Sequence, residues 1–164
     1  MTSPHTRREA REAVFGLLFE QEFHFDESPE TVFNTSVENR EIAVDPYIRG
    51  VYFGVLQHRK EIDELLEKHA KGWTVARMSR VSRTILRLAV YEMMFLRDEI
   101  PNRVSINEAI ELSKKFDEEK ARRFINGILN AVKNDLASLP KETATPDENN
   151  SDGEPAAKAD NPLS

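Results

Sequence analysis

The chain predicts an all-α helical bundle, and three observations carry that expectation. Apolar residues recur at helical spacing through most of the stretch from Thr6 to Leu136. Helix-start signals stand at the front of several of these stretches. No run shows the sustained alternation of apolar and polar residues that a half-buried strand requires. With 164 residues, 39% of them hydrophobic, the chain is long enough for one real core.

The elements follow in order. Thr6-Arg7-Arg8-Glu9 fits a capping box, in which the Thr6 and Glu9 side chains each satisfy the other's backbone N–H. Val14, Leu17, Leu18 and Gln21 then lie on one helical face, with Phe15 and Phe19 forming a second stripe beside it. Ser28-Pro29-Glu30 and Asp45-Pro46 each read as an N-cap followed by proline at the first helical position. Ile48, Val51, Tyr52, Val55, Ile62, Leu65 and Leu66 mark one long amphipathic helix ended by Gly72, within which Gly50 and Gly54 permit close helix packing. From about Ser79 to Arg97, Val81, Ile85, Leu88 and Ala89 occupy one side and Leu86, Val90 and Met93 another. A helix apolar on more than one face belongs at the centre of a bundle.

Ile100-Pro101 breaks the pattern. Ser105-Ile106-Asn107-Glu108 reads as a second capping box, opening a helix that runs to Phe116. Asp117 is expected to cap the last helix, whose buried stripe is Phe124, Ile125, Ile128, Leu129, Val132 and Leu136. Residues 1–136 are thus expected to fold. Residues 137–164 are expected to be a disordered acidic tail, since Pro140–Ser164 holds four of the eight prolines and a single large aliphatic residue, Leu163.

Composition narrows the function. Absence of cysteine removes disulfides, thiol nucleophiles and cysteine metal sites, and fits a reducing cytoplasm. The N-terminus lacks a signal-peptide pattern, and no run approaches the roughly 18 apolar residues of a membrane span. His58 and His69 are three helical turns apart, too far to share a metal ion, and no glycine-rich phosphate loop, nucleophile elbow or HExxH is present. No catalytic residue, metal or cofactor is expected.

The net charge of −6 argues against nucleic acid until it is mapped along the chain. Met1–Arg11 carries +2, Glu12–Ala70 carries −8, Lys71–Lys133 carries +5 and Asn134–Ser164 carries −5. Fields act locally, within a Debye length of roughly 8–10 Å, so the basic blocks matter more than the average. Arg7, Arg8 and Arg11 lie on one helical end, where they oppose the macrodipole and are well placed to grip phosphate. Arg80, Arg83 and Arg87 share a face and have two competing readings, ion pairs with the acidic block or contacts to nucleic acid. Lys114, Lys115 and Phe116 are followed by Lys120, Arg122, Arg123 and Phe124, aromatics ringed by cations. Such a group suits an unpaired base, although Phe124 also lies on the core stripe.

Four segments resemble the NusB family of bacterial transcription antitermination factors: RREAREA, Trp73 followed by SRVSRTILRLAVYEM, IPNRVSINEAIELSKKF, and RRFINGIL. The resemblance covers roughly Arg7 to Leu136. It implies about seven helices in two small subdomains, no enzymatic activity, and binding of single-stranded boxA RNA of ribosomal RNA leader transcripts together with the ribosomal protein NusE. Other Nus factors and RNA polymerase are indirect partners, and a homodimer is a further possibility for the partner surface. Carried onto this chain, the resemblance places Arg7, Arg8 and Arg11 on RNA, with a second RNA surface at Phe116, Lys120, Arg123 and Phe124; Arg122 joins it from the charge pattern. It places the partner face at Phe19 and near Ser82, beside Phe15 on the same stripe. Glu9, Asp117, Ala121 and Ser82 depart from the family's common pattern of a basic residue, a glycine, a serine and an acid. A helical protein–protein adaptor without RNA binding is the competing reading, and the related module of ribosomal RNA methyltransferases is set aside because no methyl-donor motif is present.

Overall fold

Capping chemistry sets most of the helix starts. The structure is a computed structural model that describes residues 6–138, which comprise seven α-helices and one 3-10 turn, with no strand among them. Of the expected tail, residues 137–164, Ala137 ends the last helix and Ser138 is in a turn; residues 139–164 lie outside the described residues. Helix α1 spans Arg7–Glu22 and opens on the expected capping box: Glu9 N–H donates to Thr6 Oγ1 at 3.0 Å and Thr6 N–H to Glu9 Oε1 at 2.9 Å. Ser28 caps α2 (Pro29–Arg40) and Asp45 caps α3 (Pro46–Gln57), each with proline in the first turn. Ser79 caps α5 (Arg80–Phe95) by accepting from Ser82 N–H at 3.0 Å.

Two expectations about boundaries are corrected. The long helix after Asp45 is two helices, α3 and α4 (Arg59–His69), because His58 leaves helical geometry at φ −105°, ψ 19°. The apolar spacing continues across the break, which is why the sequence reads as one element. Ser105 does not cap a helix either. Helix α6 (Asn102–Phe116) already starts behind Pro101, so Ser105 and Glu108 lie inside it and turn their side chains to other helices. Asp117 ends α6 and accepts from Glu118 N–H at 2.8 Å, and α7 (Glu119–Ala137) begins two residues after Asp117.

Helix α5 is the axis, packing against α1, α3, α4 and α6. Its Ile85, Leu86, Leu88, Val90 and Met93 are at most 1% exposed, and burying each such side chain contributes roughly 1.5–3 kcal/mol. Gly54 lets α3 come close to α5, since a Cβ there would stand 2.3 Å from the Tyr91 hydroxyl. Gly50 meets nothing within 4 Å and serves no such purpose. This compact unit runs to Lys133, and α7 continues to Ala137.

Candidate nucleic-acid interface

Helices α1 and α6 lie side by side, which brings the first basic block against the third. Arg8 of α1 donates from Nε and an Nη to both oxygens of Glu108 on α6, at 3.0 and 2.8 Å. Lys115 of α6 donates to both oxygens of Glu12 at 2.9 and 3.0 Å, and Lys114 reaches Glu111 at 3.3 Å. These side chains line an open cleft of about 260 Å³. Beyond it, the Phe116 ring, 41% exposed, stacks on Phe15 with centroids 4.8 Å apart.

Beneath the cleft sits a buried polar hub. Glu92 of α5, 1% exposed, accepts from Arg11 at 2.7 and 3.2 Å, from Ser105 at 2.6 Å and from the Tyr47 hydroxyl, so one carboxylate ties together α1, α3, α5 and α6. Burial pulls the Arg11 pKa down, but the hydrogen bond and charge of Glu92 outweigh it and leave the guanidinium more firmly protonated than usual. Burial, reinforced by the Glu92 charge, pushes the Tyr47 phenol well up, so it stays a donor. At the surface the hydrogen bond from Arg8 holds the Glu108 carboxyl below its usual range, against partial burial.

The named site residues divide accordingly. Arg7 and Arg8 are exposed, Arg7 lying 4.4 Å above the Tyr47 ring. Arg11, expected on RNA, is 4% exposed and paired to Glu92, at the floor of the cleft. Lys120 and Arg123 are exposed on α7, and Lys120 lies 3.9 Å from the Glu118 carboxylate. Arg122 is half-buried, its Nε enclosed without a hydrogen-bond partner among the described residues. Lys120, Arg122 and Arg123 border a broad concavity of about 950 Å³. Phe124 turns the other way, into a groove of about 470 Å³ shared with Trp73 and Ser82, so it and Phe116 serve different surfaces.

The expected partner residues differ in exposure. Phe15 is 5% exposed beneath Phe19 and Phe116, and Ser82, 6% exposed, donates to Asp117 at 2.6 Å. Phe15 is covered by the other two rings, and Ser82 stands at the wall of the groove beside Phe124. Phe19 is partly exposed and continues to Phe23, 52% exposed, which is capped by Arg80 at 4.6 Å. Of the two readings of the α5 arginines, ion pairing describes Arg83 and Arg87: Arg83 meets Glu22 at 2.6 Å, and Arg87 bridges Glu22 at 2.6 Å and Asp63 at 2.8 Å. Sequence reasoning missed Tyr47, Glu92 and Glu108 as parts of the site. A glutamate on the apolar helix α5 was the one available signal, because a charge there needs a partner.

The comparisons with known proteins agree with this architecture. Residues 7–134 match the NusB family. The transcription antitermination protein NusB of Bacillus subtilis (strain 168) is 42% identical over 132 residues, covering 79% of this chain and 96% of its own length. A structure of T. maritima NusB superposes with a TM-score of 0.71 at 34% identity, covering 82% of this chain and 93% of that one. A chain in the crystal structure of antitermination factors NusB and NusE in complex with dsRNA superposes with a TM-score of 0.69 at 32% identity, covering 79% and 96%. The chain belongs to the NusB family of transcription antitermination proteins, which are not enzymes. No helix among the described residues is long and apolar enough to cross a membrane.

Proposed function

We propose that this antitermination protein binds single-stranded boxA-type RNA of ribosomal RNA leaders in the cytoplasm, together with NusE, and reaches other Nus factors and RNA polymerase through that complex. One observation carries the reading. The exposed cation Arg8 of α1 and the cations Lys114 and Lys115 of α6 surround one cleft, beside a half-exposed Phe116 ring. Cations receive phosphates and the ring receives an unstacked base. Arg7, Lys120, Arg122 and Arg123 extend the basic surface, and Phe124 lies in the neighbouring groove. Phe19 and Phe23, outside the cleft, form the face offered to NusE. A solved relative in complex with NusE and double-stranded RNA supports partnership with both classes of molecule.

Anisotropy of a labelled boxA-type strand, a scrambled strand and a duplex, with and without NusE, tests it. Selective binding of the boxA strand that tightens with NusE is expected, and each phosphate contact adds about −0.7 to the log–log salt slope for single strands. Equal affinity for the boxA and scrambled strands with NusE present overturns the reading and leaves a helical protein adaptor. Preference for the duplex overturns its single-stranded part.

A further inference from the structure

We infer that Glu108 is a positioning residue for RNA binding: with Arg11 behind it, it holds the Arg8 guanidinium in place for phosphate. This rests on the RNA-binding reading above. The four groups Glu92, Arg11, Glu108 and Arg8 form a chain of alternating charge from the core to the surface. Arg11 is anchored on Glu92 at 2.7 Å, its Nη1 lies 3.6 Å from Glu108 Oε1, and Glu108 holds Arg8 by two hydrogen bonds. Exposure rises along it. Arg11 is 4% exposed, Glu108 13% and Arg8 57%.

The geometry decides between two opposite roles for Glu108. A carboxylate beside a phosphate-binding arginine can compete with the phosphate or orient the arginine. Glu108 takes the Nε and Nη2 edge of Arg8, which leaves the Nη1 and Nη2 end of the planar fork for a second bidentate partner. The long side chain is held before RNA arrives, so less rotamer freedom is lost on binding. Glu108 itself is fixed on a helix and braced by the buried Arg11. Lys114 lacks this support, with one 3.3 Å contact to Glu111 on its own helix.

The two roles predict opposite signs for one substitution. Glu108→Gln removes a negative charge from a cation-lined cleft and, by electrostatics alone, strengthens RNA binding. Positioning predicts that it weakens binding of the boxA-type strand about threefold to tenfold, the cost of ordering one long side chain anew. Glu111→Gln makes the same charge change in the same cleft, at a carboxylate that holds no arginine fork, and is expected to raise affinity. With Arg8→Ala in place, Glu108→Gln is expected to weaken binding no further. Nitrogen-15 relaxation of Arg8 Nε, expected ordered in the parent and mobile in Glu108→Gln, separates positioning from a general loss of structure. Tighter binding by Glu108→Gln, or an equally mobile Arg8 in both proteins, overturns the inference while leaving RNA binding intact. A parent protein with no affinity for the RNA overturns both.

Discussion

Two arginine clusters in this molecule have the same residue type and each lies on a single helix, yet they have opposite fates. Arg83 and Arg87 on α5 face Glu22 and Asp63, are 18% and 12% exposed, and act as staples between helices. Arg7 and Arg8 on α1 stay exposed, one over a tyrosine ring and one on a carboxylate that leaves half its fork open. The difference lies in what stands opposite. A helix surrounded by acidic neighbours has its cations consumed, whereas a helix end at the rim of the bundle keeps them available. Arg11 marks the boundary, one turn from Arg7 on the same helix but fully enclosed.

The comparison can be broken most forcefully at the hub. Glu92→Ala leaves Arg11 buried without its partner, and a loss of about 3–5 kcal/mol in urea unfolding is expected. A loss below about 1 kcal/mol would mean that Arg11 finds water or Glu108 instead. Arg87→Ala comes next, with an expected cost of about 1.5–3 kcal/mol for its charge-assisted hydrogen bonds and no change in RNA affinity. A drop in RNA affinity without unfolding would place the α5 arginines with those of α1. Thr6→Ala, which removes half of the capping box, is expected to cost about 1 kcal/mol. It also loosens the turn that carries Arg7 and Arg8, so RNA affinity falls slightly with it.

The smallest effect is on pH dependence. The Glu108 carboxyl is held below its ordinary value of 4.5, first by the hydrogen bond from Arg8. Below that ordinary value the unfolded chain binds the proton more readily than the folded one. The Arg8–Glu108 contribution is therefore complete above about pH 4.5 and is lost as pH falls through the lower folded value. Urea midpoints measured from about pH 5 to about pH 3 should fall less steeply for Glu108→Gln than for the parent. Equal slopes would mean the pair is too solvated to matter.

Much of the fold was legible because caps and apolar stripes are local. Thr6, Ser28 and Asp45 each begin a helix where their chemistry places them, and the helix over residues 80–95, apolar on more than one face, is indeed the axis. Local rules failed where distant groups decided. Ser105-x-x-Glu108 has the right letters for a capping box, but Glu92 and Arg8 claim those side chains across helix boundaries. The break at His58 is hidden because the apolar spacing runs through it. At the site, cation counts were readable and their pairing was not: nothing local distinguishes Arg11, which meets a carboxylate 81 positions away, from Arg7, which meets a ring.

That separation has a consequence for how the protein is made. The hub needs Arg11, Tyr47, Glu92 and Ser105 together, so a chain growing from the ribosome cannot complete it until the start of α6 has emerged. At roughly 5–20 residues per second, α1 waits about 4–16 s for Glu92 to be synthesised, and longer for Ser105. During that interval Arg8 and Arg11 lack their native carboxylates. The acidic residues between them travel with the nascent chain and offer temporary counter-charges until α5 and α6 arrive.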